Sequence, residues 1–186
     1  MKWTIDNTKD VWKMVTKLHS GQHYGGTAPG EKIDYINHIG SVVFEVLAAL
    51  PYHEDIDEDL VVKCAMLHDT IEDTSATYQD IHSLFGEAVA KGVMALTKDK
   101  TLGSKSEQML DSLQRIREQP KEVWMVKMAD RITNLYAPPY YWNTEKKVTY
   151  QEEARLIYNN LKDSSEYLAE RLKSKIEGYQ KYINQT

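Results

Sequence analysis

A single cysteine, Cys64, in 186 residues excludes an intramolecular disulfide framework and suits a reducing cytoplasm. No apolar run approaches the roughly 20 residues needed to span a bilayer. The amino-terminal Met1-Lys2-Trp3-Thr4-Ile5-Asp6 has no apolar signal-peptide core. The expectation is a cytoplasmic protein that does not engage membranes. Positive charge is also scarce, for the net charge is −5. A nucleic-acid coat, which needs a basic face, is thereby disfavoured. An acidic enzyme still binds phosphates where a metal and local lysines reverse the field. Alternating apolar and polar runs, internal repeats and low-complexity segments are missing too, which leaves little basis for a β fold.

What is present is helical periodicity. Apolar content of 41% with 27% charged residues is ordinary for a globular protein. The length predicts one all-α domain over 1–186, with a core over about 8–161 and a C-terminal packing helix over about 162–183. Val11, Val15 and Leu18 mark a first helix, with Asp6 or Asn7 as cap candidates. A Gly- and Pro-bearing loop follows over 21–30. Ile36, Ile39, Val43, Val46, Leu47 and Leu50 form a stripe that Pro51 stops.

The acidic run over 54–59 reads as a solvated loop feeding a helix in which Leu60, Val61, Cys64 and Ala65 share a buried face. Cys64 there is a core thiol. Ser75 or Thr77 would cap a helix with Ile81, Leu84 and Phe85, which Gly86 closes. A helix over 88–96 and a lysine-bearing loop over 98–106 come next. Met109, Leu110, Leu113 and Ile116 mark another helix, ended by Pro120. Val123-Trp124-Met125-Val126-Lys127-Met128-Ala129 is apolar on almost every side, the pattern of an enclosed central helix. Pro138-Pro139 breaks the chain before helices over 145–161 and 164–182. Leu168, Leu172, Ile176, Tyr179 and Ile183 form a stripe on the last. Packing within the domain is the preferred reading of that stripe, and a homo-oligomer is compatible with it.

The chemistry concentrates in His68-Asp69-Thr70-Ile71-Glu72-Asp73. His68 continues a buried helical face, and a buried imidazole beside carboxylates needs a partner. His38 lies in the long second helix, and Asp130 follows the enclosed one. Each alone has a plain explanation: a satisfied core or surface histidine, a salt bridge to Arg131 or another base, a helix cap. Together they form a set of two imidazoles and two carboxylates. That set suits Mn²⁺, Fe²⁺ or Zn²⁺ better than the oxygen-seeking Mg²⁺ or Ca²⁺. Glu72 and Asp73, one turn beyond His68 and Asp69, would face the same centre if the helix continues. There they could deprotonate a water and return a proton to a leaving oxygen.

His38, His68-Asp69 and Asp130, in that order on a helical scaffold, resemble the HD-domain metal-dependent phosphohydrolases. The extension through Glu72-Asp73-Thr74 is similar to the hydrolase half of the RelA/SpoT alarmone enzymes, in particular to the stand-alone small alarmone hydrolases of the metazoan SpoT type. The likeness takes in His19-Ser20-Gly21-Gln22, Asp34-Tyr35-Ile36-Asn37-His38, Leu96-Thr97-Lys98-Asp99-Lys100, the run from Lys127 to Leu135, and Trp142-Asn143-Thr144-Glu145-Lys146 with Tyr150.

The resemblance implies that His38, His68, Asp69 and Asp130 hold one divalent ion, usually Mn²⁺. Glu72 and Asp73 would be the acid/base pair. Asn134 would bind the nucleotide sugar, Lys146 a phosphate, and Tyr150 would lie beside the nucleotide; Lys98 and Tyr24 join the substrate contacts. The implied reaction removes the 3′-pyrophosphate of guanosine 3′,5′-bispyrophosphate, a small purine nucleotide, or of its pentaphosphate relative. Where the family has basic residues after the glutamine, this chain has His23-Tyr24-Gly25, and it has Asp34 in place of a proline. Tyr24 would stack on a base without bringing charge. Two alternatives stay open: a phosphomonoesterase acting on NADPH or a 5′-nucleotide, and a nucleotide-sensing module without turnover. His23 reads as a loop residue, His53 and His82 as surface residues.

Overall fold

The computed structural model describes residues 1–184. Helix α1 (Ile5–Leu18) is capped by Thr4 rather than Asp6 or Asn7. The Thr4 backbone is extended, and its hydroxyl accepts the Asn7 N–H at 3.1 Å. Asp6 sits instead in the first turn, where the helix dipole favours a carboxylate.

The segment expected to be a loop contains a hairpin, β1 (His23–Gly25) against β2 (Lys32–Asp34), antiparallel with Tyr24 opposite Ile33. Strands of three residues are too short to display an alternation, so the periodicity could not reveal them. His23 is a strand residue whose Nε2 lies 2.9 Å from Asp34 Oδ1 across the ladder.

Helix α2 (Ile36–Ala49) runs into a 3₁₀ turn, Leu50–Tyr52. The acidic run beyond it is only partly solvated. Asp57 caps α3 (Glu58–Leu67) by accepting the Leu60 N–H at 3.0 Å, and the buried Glu58 pairs with Lys2. Helix α3 is enclosed on nearly every side. Within it Cys64 is fully buried, and burial pushes its thiol up to about 12, as suits a core residue.

A one-turn helix α4 (Thr70–Asp73) follows, then α5 (Tyr78–Phe85) behind a Thr77–Asp80 capping box, α6 (Glu87–Leu96), and α7 (Lys105–Arg117) behind a Ser104–Glu107 capping box. Leu84 and Leu110, expected on packing faces, are exposed. Helix α5 packs chiefly on α6, which covers Ile81 and leaves the flank of the stripe open.

Helix α8 (Lys121–Asn134) is the central helix, with every residue from Met125 to Thr133 buried. It meets α2, α3, α6 and α7, together with α9 (Thr144–Leu161) and α10 (Glu166–Ile183). Leu168, Leu172, Ile176, Tyr179 and Ile183 of α10 are buried, and α10 packs on α9 and α8. Among the described residues no helix is long and apolar enough to cross a membrane.

Candidate active site

Helices α2, α3 and α8 pack against one another, and their apolar stripes bring three separated segments to one point. His38 Nε2 lies 3.3 Å from His68 Nε2, 3.6 Å from Asp69 Oδ2 and 3.5 Å from Asp130 Oδ1. His68 Nε2 is 2.9 Å from Asp69 Oδ2. His68 Nδ1 lies 2.9 Å from the Ala65 carbonyl. A carbonyl only accepts, so this contact puts a proton on Nδ1 and turns Nε2 toward the centre. His38 Nδ1 is likewise engaged, by Thr133 Oγ1 at 3.3 Å.

The charges are mutually dependent. Burial would raise both carboxyls, yet the flanking imidazoles hold Asp69 well below the usual carboxylate range, and Lys127 with the same imidazoles holds Asp130 there. Burial also opposes a charged His38, but hydrogen bonds to Asp130 and Asp69 outweigh it and raise the ring to about 9. Two imidazole nitrogens and two carboxylate oxygens thus face one another in a buried space. Bonds of about 2.0–2.2 Å to a common ion would put adjacent ligand atoms about 3.0–3.5 Å apart, close to what is observed. The donor set therefore fits a divalent cation. His38, His68 and Asp130 offer ligand atoms within 4.8 Å of one another, and Asp69 Oδ2 lies beside both imidazoles.

The helix leading to His68 does not continue through Glu72 and Asp73. It stops at Leu67, and Asp69 breaks the path at φ −101°, ψ 1° before α4 restarts it. The break still delivers Glu72 and Asp73 to the wall of the cleft that His38, Asp69 and Asp130 line. Glu72 Oε2 accepts the Lys98 N–H at 3.0 Å, and Lys100 Nζ donates to the Glu72 carbonyl at 3.0 Å. Gln22 Nε2 donates to the Asp73 carbonyl at 2.7 Å. Burial, then the neighbouring Asp69 and Glu72 carboxylates, push the Asp73 carboxyl up.

That cleft, of about 860 Å³, adjoins a second of about 730 Å³; Tyr35, His38, Asn134, Trp142 and Tyr150 line both. The first is rich in lysine, and Lys98 and Lys146 line it. The second is aromatic and contains Tyr24, with Tyr136 and Tyr141. Asn134 Nδ2 donates to Asp130 Oδ1 at 2.5 Å, so this side chain supports the carboxylate. Tyr150 is stacked under the Arg131 guanidinium, 4.1 Å from its ring centroid, and Lys146 Nζ lies 4.3 Å from the Trp142 ring centroid.

Asp130 pairs with Lys127, whose Nζ donates to Oδ2 at 2.9 Å, and not with Arg131, which turns to Glu153. Burial works against the Lys127 ammonium and Asp130 outweighs it, so the charge is kept. Neither Lys127 nor Tyr35 figured among the sequence-based site residues. Lys127 carried a signal, as the one charge inside an otherwise apolar stretch; Tyr35 looked like an ordinary flank of the second helix. His53 and His82 are half-buried rather than superficial: His53 Nε2 lies 2.9 Å from Ser165 Oγ, and His82 leans on Tyr78.

Comparison with known proteins points the same way. A family profile described as HD domain matches residues 12–165. The guanosine-3′,5′-bis(diphosphate) 3′-pyrophosphohydrolase MESH1 of Danio rerio is 31% identical over 147 residues, 76% of this chain and 78% of the relative. The Homo sapiens protein of that name is 32% identical over 148 residues, 77% of this chain and 79% of the relative. A solved structure of a metazoan ortholog of SpoT that hydrolyzes ppGpp superposes with a TM-score of 0.79 at 25% identity, covering 96% of this chain and 98% of that one.

Proposed function

The chain belongs to the HD-domain family, among relatives of the guanosine-3′,5′-bis(diphosphate) 3′-pyrophosphohydrolases, and from that premise we propose that it is a metal-dependent hydrolase removing the 3′-pyrophosphate of ppGpp or a close purine analogue. The observation that carries this reading is the convergence of His38, His68, Asp69 and Asp130 on one point, beside Glu72 and Asp73 and at the junction of a lysine-rich and an aromatic cleft.

We assign His38, His68, Asp69 and Asp130 as the ligands of one divalent ion, Mn²⁺ first and Fe²⁺ or Zn²⁺ as alternatives. When bound, the ion supplies Lewis acidity to the phosphoryl group and acidifies water. Glu72 takes the proton of the attacking water as its oxygen bonds to phosphorus. The bond from phosphorus to the 3′-oxygen breaks, and Asp73 supplies the proton that this oxygen needs. The raised Asp73 carboxyl suits the acid role. Lys98 and Lys146 hold phosphate oxygens by charge. The Asn134 amide nitrogen stays on Asp130 while its oxygen accepts a sugar hydroxyl. Tyr150 sits beside the nucleotide, and Tyr24 offers its ring to the base.

The test is turnover of ppGpp, ppApp and NADPH side by side with Mn²⁺, separating pyrophosphate from orthophosphate, with Glu72→Ala as control. Pyrophosphate from ppGpp or ppApp, abolished in the variant, supports the proposal. Orthophosphate from NADPH alone would favour a phosphomonoesterase, a second reading motivated by the uncharged Tyr24 in the aromatic cleft. No product from any of the three would sink both.

A further inference from the structure

Lys127 is only 7% exposed, and Met125, Val126, Met128 and Ala129 around it are fully buried. An ammonium in such surroundings is costly to keep. Its hydrogen-bond partner among the described residues is Asp130 Oδ2 alone, at 2.9 Å. An ammonium carries three donors, so two are uncommitted, and the residue lines the same cleft as Asp69, Glu72 and Lys98. Holding Asp130 in place does not account for this. Asn134 already fixes the other oxygen, and a positive charge behind a cation-binding carboxylate repels the cation. Arg131, the adjacent base, avoids that position and spends its charge on Glu153 and the Tyr150 ring.

We infer that Lys127 is a further catalytic residue, whose uncommitted donors bind the phosphoryl group under attack. The inference rests on the hydrolase reading above. As the water oxygen bonds to phosphorus and the 3′-oxygen leaves, negative charge spreads over the non-bridging oxygens. Lys127, itself almost wholly buried, meets it with a preorganised N–H donor, and its own proton stays in place. The ammonium that weakens the hold on the ion thus becomes favourable once an anion arrives.

The test compares wild type with Lys127→Gln as metal-loaded full chains, measuring bound metal, orthophosphate affinity by calorimetry, and nucleotide kinetics. Metal binding is expected to be retained or tightened. Orthophosphate affinity should fall about tenfold, and kcat by about 10²–10³ with KM changed less than about threefold. Loss of metal, with kcat tracking occupancy, would mean that Lys127 only orients Asp130 and would overturn the inference; so would an unchanged orthophosphate affinity. If wild type hydrolyses none of the nucleotides, the reaction proposed above falls, and the orthophosphate arm still decides the role of Lys127. If Lys127→Gln does not fold, the Lys127 ammonium resonance of Zn²⁺-loaded wild type decides instead: it shifts on orthophosphate addition, and an unmoved signal refutes the contact.

Discussion

The Tyr35 hydroxyl donates to Asp69 Oδ2 at 2.6 Å, and that same oxygen lies 2.9 Å from His68 Nε2. Burial and the Asp69 charge both push the phenol's pKa up, so Tyr35 stays a donor throughout the working pH range. The His19 ring stacks on it at 5.2 Å, and the Tyr35 N–H donates to the Gln22 carbonyl at 2.9 Å. Tyr35→Phe keeps the stacking and removes the donor. Support of this kind typically contributes 10- to 100-fold in metal affinity, so Mn²⁺ binding should weaken by about that factor while the fold is retained. Calorimetric titration checks it, and an unchanged affinity would show that Asp69 is held well enough without the phenol.

Metal should also be visible as stability. The facing donors of His38, His68, Asp69 and Asp130 belong to three separated chain segments, so an ion bound there holds the folded state and not the unfolded one. At a hundredfold excess over Kd, binding contributes about 2.7 kcal/mol. For a chain of this length that corresponds to a rise in Tm on the order of 5–10 °C. Chelation should reverse the rise, and Asp130→Asn should abolish it. A Tm indifferent to metal in the wild-type chain would contradict the assigned ligands.

Gly92 of α6 packs closely against α3 and α8. A Cβ there would lie 2.8 Å from Cys64 Sγ and 3.0 Å from Val123 Cγ2. Gly92→Ala gains up to about 1 kcal/mol of helix propensity but forces a clash in a close-packed core, which costs about 1–3 kcal/mol. The clash outweighs the gain, and chemical denaturation should register a net loss of up to about 2 kcal/mol. Adding Cys64→Ala removes the nearer obstacle, so the double variant should be more stable than the two losses summed. Strict additivity would place the strain elsewhere.

Much of this arrangement was legible in the sequence because it rests on short-range patterns. The enclosed helix was visible in Val123 to Ala129, and the metal-type donors stood out as imidazoles and carboxylates set on apolar faces. What was hidden depends on pairings distant in the chain. The hairpin joins Tyr24 to Ile33 with too few residues to show a period. The restart at Asp69 depends on backbone angles that no spacing encodes. Tyr35 gains its role only because α2 sets its hydroxyl against a residue 34 positions away.

Tyr24 lines the aromatic cleft. It stands in β1 opposite Ile33, its hydroxyl accepts from Asn37 Nδ2 at 2.6 Å, and its ring meets Tyr35 edge-on at 6.4 Å. The ring is thus fixed before any ligand arrives, which lowers the ordering cost of stacking. Base–aromatic stacking contributes about 1–3 kcal/mol, so Tyr24→Ala should raise the nucleotide KM by about 5- to 150-fold with a smaller effect on kcat. A π-face does not discriminate among bases, and the ratio of ppGpp to ppApp turnover should therefore stay nearly constant in the variant. A collapse of that ratio at unchanged KM would instead assign base selection to the hydrogen bond between Tyr24 and Asn37.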